Sequence, residues 1–266
     1  MLAEPLNVEA GSVAVIDTSS PNGHRAQLTI RTVGGLRLTQ GGADLTSSLI
    51  DRKVLAFLWI YLLARRLRNA HDTITRASLA DELSPGLDSS TQRSRLRGRL
   101  SEMRNQLPAA LGKRLEVSGE RISLDLTDCS IDLQRLLEAS QIYAGAKGVL
   151  TAGQLADIES VVSDSEGVFL PDWDDLEQHI NGARGGAGEV VADLRRRVET
   201  ARSALLRSLG EGYLAHANPA AAVAVLERAL EHAPGDEAAA RSLVAACLQS
   251  GRLTRAEELR KEFSLV

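Results

Sequence analysis

Val54 to Ala64 is an unbroken run of eleven apolar residues, VLAFLWIYLLA. Crossing a bilayer as a helix takes roughly 18 or more such residues, so the run is too short for a membrane span. As part of a helix from about Asp51 to Leu67 it is apolar on nearly every face. Such a helix is stable only when other elements surround it, so it is expected to sit at the centre of a core. Aromatic residues make up only 3% of the chain, so the packing around it must be mainly aliphatic. The 266 residues are enough to bury two compact units. A hydrophobic share of 44% with 25% charged residues excludes a disordered or collagen-like chain.

Cys129 and Cys247 lie far apart and in no CxxC pair, which removes a disulfide scaffold and a cysteine-rich zinc site. A reducing, cytoplasmic setting is expected. Met1 to Ala10 carries acids and no basic stretch, so it does not read as a secretory signal.

The net charge of −4 conceals an asymmetry. Residues 21–130 hold 17 bases against 11 acids, a net of +6, whereas residues 131–266 hold 14 against 21, a net of −7. A polyanionic partner would therefore meet the first half.

Residues 1–26 are punctuated by Ser, Pro and Gly without a sustained period and read as a flexible leader. From Gln27, Leu28 and Ile30 alternate, Gly34-Gly35 breaks the run, and Leu36 and Leu38 resume it, a hairpin pattern. After the apolar helix, Thr75 is a candidate N-cap for a short helix ending at Pro85-Gly86. Asp88 or Ser89 then caps a helix reaching about Gln106. Leu115, Val117, Ile122, Leu124 and Leu126 frame Ser118-Gly119-Glu120 as a second hairpin. This order is that of a winged helix with an added N-terminal sheet, over residues 27–126.

The helix from Ser90 to Gln106 carries the chemistry. At 100° per residue, Leu96, Leu100, Met103 and Leu107 form one buried stripe. Ser94, Gly98, Ser101 and Asn105 lie opposite. Arg93, Arg97 and Arg104 run along one flank of that small face, and Arg95 and Arg99 along the other with Glu102. A major groove about 12 Å wide accepts one helix, whose arginines can reach phosphates on both walls while a thin ridge approaches base edges. Gly98 costs about 1 kcal/mol relative to alanine in a helix and serves no packing on an exposed face, so close approach to a partner would explain it. Thr91 and Gln92, in the first turns, belong to the same candidate interface. Lys113, Arg114 and Arg121 flank the following hairpin, where a wing meets phosphates or a minor groove. A solvated amphipathic helix is the plainer alternative for this pattern.

Residues 131–266 read as helical, with helices at Ile131 to Tyr143 and Leu155 to Val162, a Gly-rich hinge at 181–188, and paired helices from Glu189. Leu209, Gly210, Tyr213, Ala222, Leu226, Ala229 and Pro234 are spaced as in a tetratricopeptide unit. A shift of 34 residues gives Leu243, Cys247, Ala256 and Phe263, with Arg260 in the place of Leu226, a degraded second unit. Stacked units of this kind leave a concave face for a protein or peptide, or pack internally or in a homodimer. Arg195-Arg196-Arg197 reads as one polar helix face. The five histidines are not at metal-ligand spacing, and the glycines at 182, 185, 186 and 188 lack GxGxxG spacing and the Walker lysine. No catalytic constellation and no cofactor are expected.

The ordered segments LADEL, TQRSRLRGRLSEMRNQL, RLEVSGERISLDL, IDLQRLLEA and GVFLPDW carry a resemblance. The chain resembles the antibiotic-regulatory-protein activators, in which an OmpR-type winged helix precedes a helical bacterial transcriptional activator domain. It departs from them at Leu83-Ser84-Pro85-Gly86, where relatives carry tryptophan and then Pro-Asp. The resemblance implies an activator that binds double-stranded DNA and contacts RNA polymerase or another protein through its repeats; the short apolar run gives no membrane partner for this segment. The fold class expected is thus an α+β winged helix-turn-helix followed by an all-α, tetratricopeptide-like half. The competing expectation is an interaction scaffold whose winged helix does not bind DNA.

Overall fold

A computed structural model describes residues 27–145, 148–181 and 187–265. The expected leader, 1–26, and residues 182–186 of the expected hinge lie outside the described residues; Ala187 and Gly188 begin a helix instead.

Strands β1 (Leu28–Arg31) and β2 (Arg37–Gln40) pair antiparallel with Ile30 opposite Leu38, as the alternation predicts. Gly34 and Gly35 make the turn at φ +76° and +127°, values open to glycine and strained for other residues. A short β3 (Ala43–Asp44) extends this sheet beside β2, and α1 (Thr46–Ile50) follows. Helix α2 (Lys53–Arg68) carries the apolar run, and every residue from Leu55 to Ala64 is buried. A two-residue β4 (Ile74–Thr75) leads into α3 (Arg76–Leu83), capped by the Thr75 side chain, which accepts the Ser78 amide. Then come α4 (Ser89–Gln106), a single turn α5 (Ala109–Gly112), and the hairpin β5 (Leu115–Ser118) and β6 (Arg121–Leu124). β4 joins that hairpin on its β6 side, with Ile74 opposite Ile122, making a three-stranded sheet.

The first sheet has an additional neighbour. β7 (Cys129–Ile131) pairs parallel with β1, giving the order β3-β2-β1-β7. It feeds α6 (Asp132–Tyr143) and α7 (Ala152–Asp164), the latter closed by a reciprocal capping box between Thr151 and Gln154. Helices α8 (Trp173–Asn181), α9 (Ala187–Ala215), α10 (Pro219–His232), α11 (Glu237–Gln249) and α12 (Leu253–Glu262) complete the chain. The architecture is an N-terminal winged helix-turn-helix with a preceding sheet, followed by an all-α half of paired helices.

The two halves share one continuous core, running from Leu28 through α2 to Leu209. A smaller core holds the last repeats, with Ala222, Leu226, Leu243, Cys247, Ala256 and Leu259 buried. Gly210 lies so close to α10 that a Cβ there would sit 2.4 Å from Leu226 Cγ, which accounts for the repeat's glycine. Arg260 is exposed, and the buried position of that turn falls to Leu259.

The seam between the halves joins backbone groups to one carboxylate and to buried side chains. Thr32 and Val33 amides donate to the Asp132 carboxylate at 2.7 and 2.9 Å, and the Thr32 hydroxyl donates to its other oxygen at 2.7 Å. The Gly34 amide donates to Val168 O and the Leu170 amide to Thr32 O, at 2.9 and 2.8 Å. A Cβ on Gly167 would lie 2.7 Å from Gly34 Cα, so the segments touch through their glycines. Phe169, Leu170 and Trp173 are buried behind them, with Trp173 stacked on Phe57 of α2 at 5.1 Å.

Arg195 departs from the expected polar face. Its guanidinium donates to Phe169 O and Leu170 O at 3.0 and 2.8 Å and pairs with Asp174 at 2.9 Å. Arg197 donates to Arg68 O at the end of α2, while Arg196 stays on the surface. Arg202, only 2% exposed, donates to the Ser165 and Gly167 carbonyls and pairs with Glu199.

Candidate nucleic-acid interface

The start of α4 is fixed by Asp88. One carboxylate oxygen accepts from the Ser90 and Thr91 amides, both at 3.0 Å, and from the Ser90 hydroxyl at 2.6 Å. These side-chain and backbone donors hold the Asp88 carboxyl far below the usual carboxylate range. Gly86, at φ +80°, turns the chain just before it. The Gln92 amide nitrogen donates to Asp81 and to Ser84 O, both at 3.0 Å, bracing α4 against α3. Leu96, Leu100, Met103 and Leu107 are buried, as the 100° count predicts. Behind the helix, Gly112 comes so close that a Cβ would meet Met103 O at 2.7 Å.

The opposite face is open. Arg93, Ser94, Arg95, Arg97, Gly98, Arg99, Ser101 and Arg104 are all exposed. Among the described residues no heavy atom outside the helix lies within 4 Å of where a Gly98 Cβ would stand, so none of them covers the ridge at that point. The flanks border two clefts. On the wing side, a cleft of about 360 Å³ is lined by Arg97, Ser101, Arg104 and Asn105 with Arg76 and Val117. On the other, a cleft of about 630 Å³ runs along Arg95, Gly98, Arg99 and Glu102 to His179 and Ile180 of α8. Arg99 pairs with Glu102 at 2.7 Å, and Arg93 donates to Ser89 O within its own helix.

The remaining candidates separate into two kinds. Lys113 and Arg121 are exposed beside the hairpin, available to a partner. Arg114 is half-buried and donates to Asp125 O and Thr127 O at 3.0 and 2.8 Å, so it braces the strand end rather than projecting from it. Thr91 and Gln92 are half-buried, with the Gln92 amide group committed to α3. Two residues outside the sequence expectation join the surface. Arg76 holds the hairpin tip, donating through Nε to Gly119 O at 2.9 Å while its amide donates to Glu120 O. His179 is brought to α4 only by the tertiary fold, and no spacing in the sequence marks it. Asp125 is held below its usual range by hydrogen bonds from Thr127, which keeps the strand end anchored near Arg114.

Among the described residues no cluster of His, Cys, Asp or Glu has the make-up of a metal site, and no helix is long and apolar enough to cross a membrane.

Residues 213–261 match the tetratricopeptide repeat family. No curated protein matches the chain. Among solved structures it is similar to Mycobacterium tuberculosis EmbR, in a structure of that protein in complex with a low-affinity phosphopeptide, with a TM-score of 0.62 and 19% sequence identity. The alignment covers 90% of this chain but 59% of that one, so the chain spans less than two thirds of its neighbour. At this identity the likeness is one of fold: a winged helix carried on tetratricopeptide-like helices.

Proposed function

We propose that the chain is a sequence-specific DNA-binding transcriptional regulator of the activator type. Residues 27–126 read double-stranded DNA, and residues 131–266 form a helical effector module whose repeats engage RNA polymerase or another protein, or a second copy of the chain. The observation that carries this reading is the exposed face of α4, a ridge of Ser94, Gly98 and Ser101 between arginines, open at Gly98 and bordered by a cleft on each flank. A helix of that cross-section fits a major groove with phosphates within reach on both sides. Arg93, Arg95, Arg97, Arg99, Arg104, Lys113 and Arg121 supply phosphate contacts, and Ser94 and Ser101 stand nearest the bases. The likeness in fold to EmbR and the repeat match support the division of labour.

The test begins by selecting bound fragments from genomic DNA and measuring affinity for the best of them across a salt series. Arg97→Ala should weaken binding on every sequence and flatten the slope of log K against log salt by about 0.9. An unchanged affinity and slope would refute the reading. The second reading, an interaction scaffold without DNA contact, draws on the paired state of Arg99 with Glu102 and on the net charge of −4. It predicts no retention on DNA or heparin even at low salt.

A further inference from the structure

A helix seated in the major groove has a phosphate strand on each side. On one side of α4 the hairpin presents the exposed Arg121, and the cleft there is lined by Arg76 of α3 and by Arg97 and Arg104 of α4 itself. On the other side the facing wall comes from the helical half, because the cleft along Arg95 and Arg99 is bounded by His179 and Ile180 at the end of α8. That wall is held in place. Trp173, at the start of α8, is buried against Phe57 of α2, and its indole nitrogen donates to Glu177 one turn on at 3.2 Å.

The charges around the cleft favour an anion. Arg95 makes no ion pair among the described residues, Arg99 shares its charge with Glu102 in an exposed pair on the same helix, and His179 adds a donor from the opposite wall. The acids of α8 are engaged elsewhere. Asp174 pairs with Arg195, Glu177 accepts from Trp173, and Asp175 lines a separate apolar pocket beside Leu36 and Lys53.

We propose that His179 contacts the DNA backbone on the flank away from the wing, so that the helical half contributes directly to the DNA footprint. This rests on the DNA-reading proposal above. The experiment uses the full chain and the DNA selected for it, comparing wild type with His179→Glu, His179→Arg, Gln178→Glu and Arg97→Ala. Gln178 is exposed on the same turn but does not line the cleft, so Gln178→Glu adds the same charge just outside it. His179→Glu should weaken binding about tenfold, and His179→Arg should tighten it and steepen the salt slope by about 0.9, the effect of one added phosphate contact. Gln178→Glu should change affinity by less than about twofold. Equal effects of His179→Glu and Gln178→Glu, or an unchanged slope in His179→Arg, would overturn the proposal while Arg97→Ala still weakens binding. If Arg97→Ala is also silent, the DNA-reading proposal itself fails. Melting curves of each variant exclude misfolding as the cause.

Discussion

On the DNA-reading proposal, substitutions at Gly98 should move stability and DNA affinity in opposite directions. Gly98 lies in the interior of an 18-residue helix, on the exposed face, with nothing among the described residues within 4 Å of the position a Cβ would take. Gly98→Ala therefore meets no steric opposition, and the full helix-propensity difference, about 1 kcal/mol, should appear as added stability. For a chain of 266 residues that corresponds to a rise in Tm of roughly 2–4 °C, read by calorimetry or circular dichroism. A methyl on the ridge thickens it slightly; Gly98→Gln places a whole amide side chain there. If α4 brings its backbone close to base edges, Gly98→Gln should weaken binding to selected DNA by more than tenfold, a loss above about 1.4 kcal/mol, with no loss of Tm. The two variants are measured side by side by fluorescence anisotropy and thermal melting. A Gly98→Gln protein that binds DNA like wild type would refute insertion of this ridge. A Gly98→Ala protein that melts earlier would show that the space around residue 98 is not open.

Gly167→Ala should cost about 3 kcal/mol or more, because φ is +104° and the added methyl would meet the backbone of Gly34 at 2.7 Å; a Tm within about a degree of wild type would contradict the close approach of the two segments. Asp88 titrates far below its unfolded value because Ser90 and Thr91 donate to it, so its contribution is complete above about pH 4. It is lost as pH falls further, when the carboxyl is protonated. The Tm difference between wild type and Asp88→Ala should accordingly shrink below pH 4, and a difference that stays constant down to pH 2 would contradict the cap.

Helix α4 is legible from sequence because its determinants are local. Leu96, Leu100 and Met103 repeat at helical spacing, Asp88 is a cap three residues from Thr91, and Ser118-Gly119-Glu120 can hardly be anything but a tight turn. The apolar run of α2 is legible for the opposite reason: no arrangement other than complete burial suits it. The seam is not legible. Asp132 answers the amides of Thr32 and Val33 across about 100 residues of chain, and nothing near Thr32 announces that partner. β7 is three residues long and pairs parallel with β1, too short to show an alternation. Arg195 looks like any surface arginine in a charged triplet until Phe169 O and Leu170 O are brought to it. The candidate interface divides the same way. Exposure along α4 follows from periodicity, whereas the bracing roles of Gln92 and Arg114 depend on carbonyls that only folding delivers.

The joint between β1, the Gly167 loop and α8 bears on how such a protein can be re-engineered. A cut after Leu126 would strip β1 of its parallel neighbour and leave Phe57 without its stacked indole. The winged part is thus not a detachable cassette, and hybrids made by exchanging whole halves would inherit a mismatched joint. If α4 reads DNA as proposed, its preference is better transplanted by grafting the outward residues of Ser89–Gln106 alone, which leaves the hydrogen bonds of Thr32, Gly34 and Arg195 across that joint untouched.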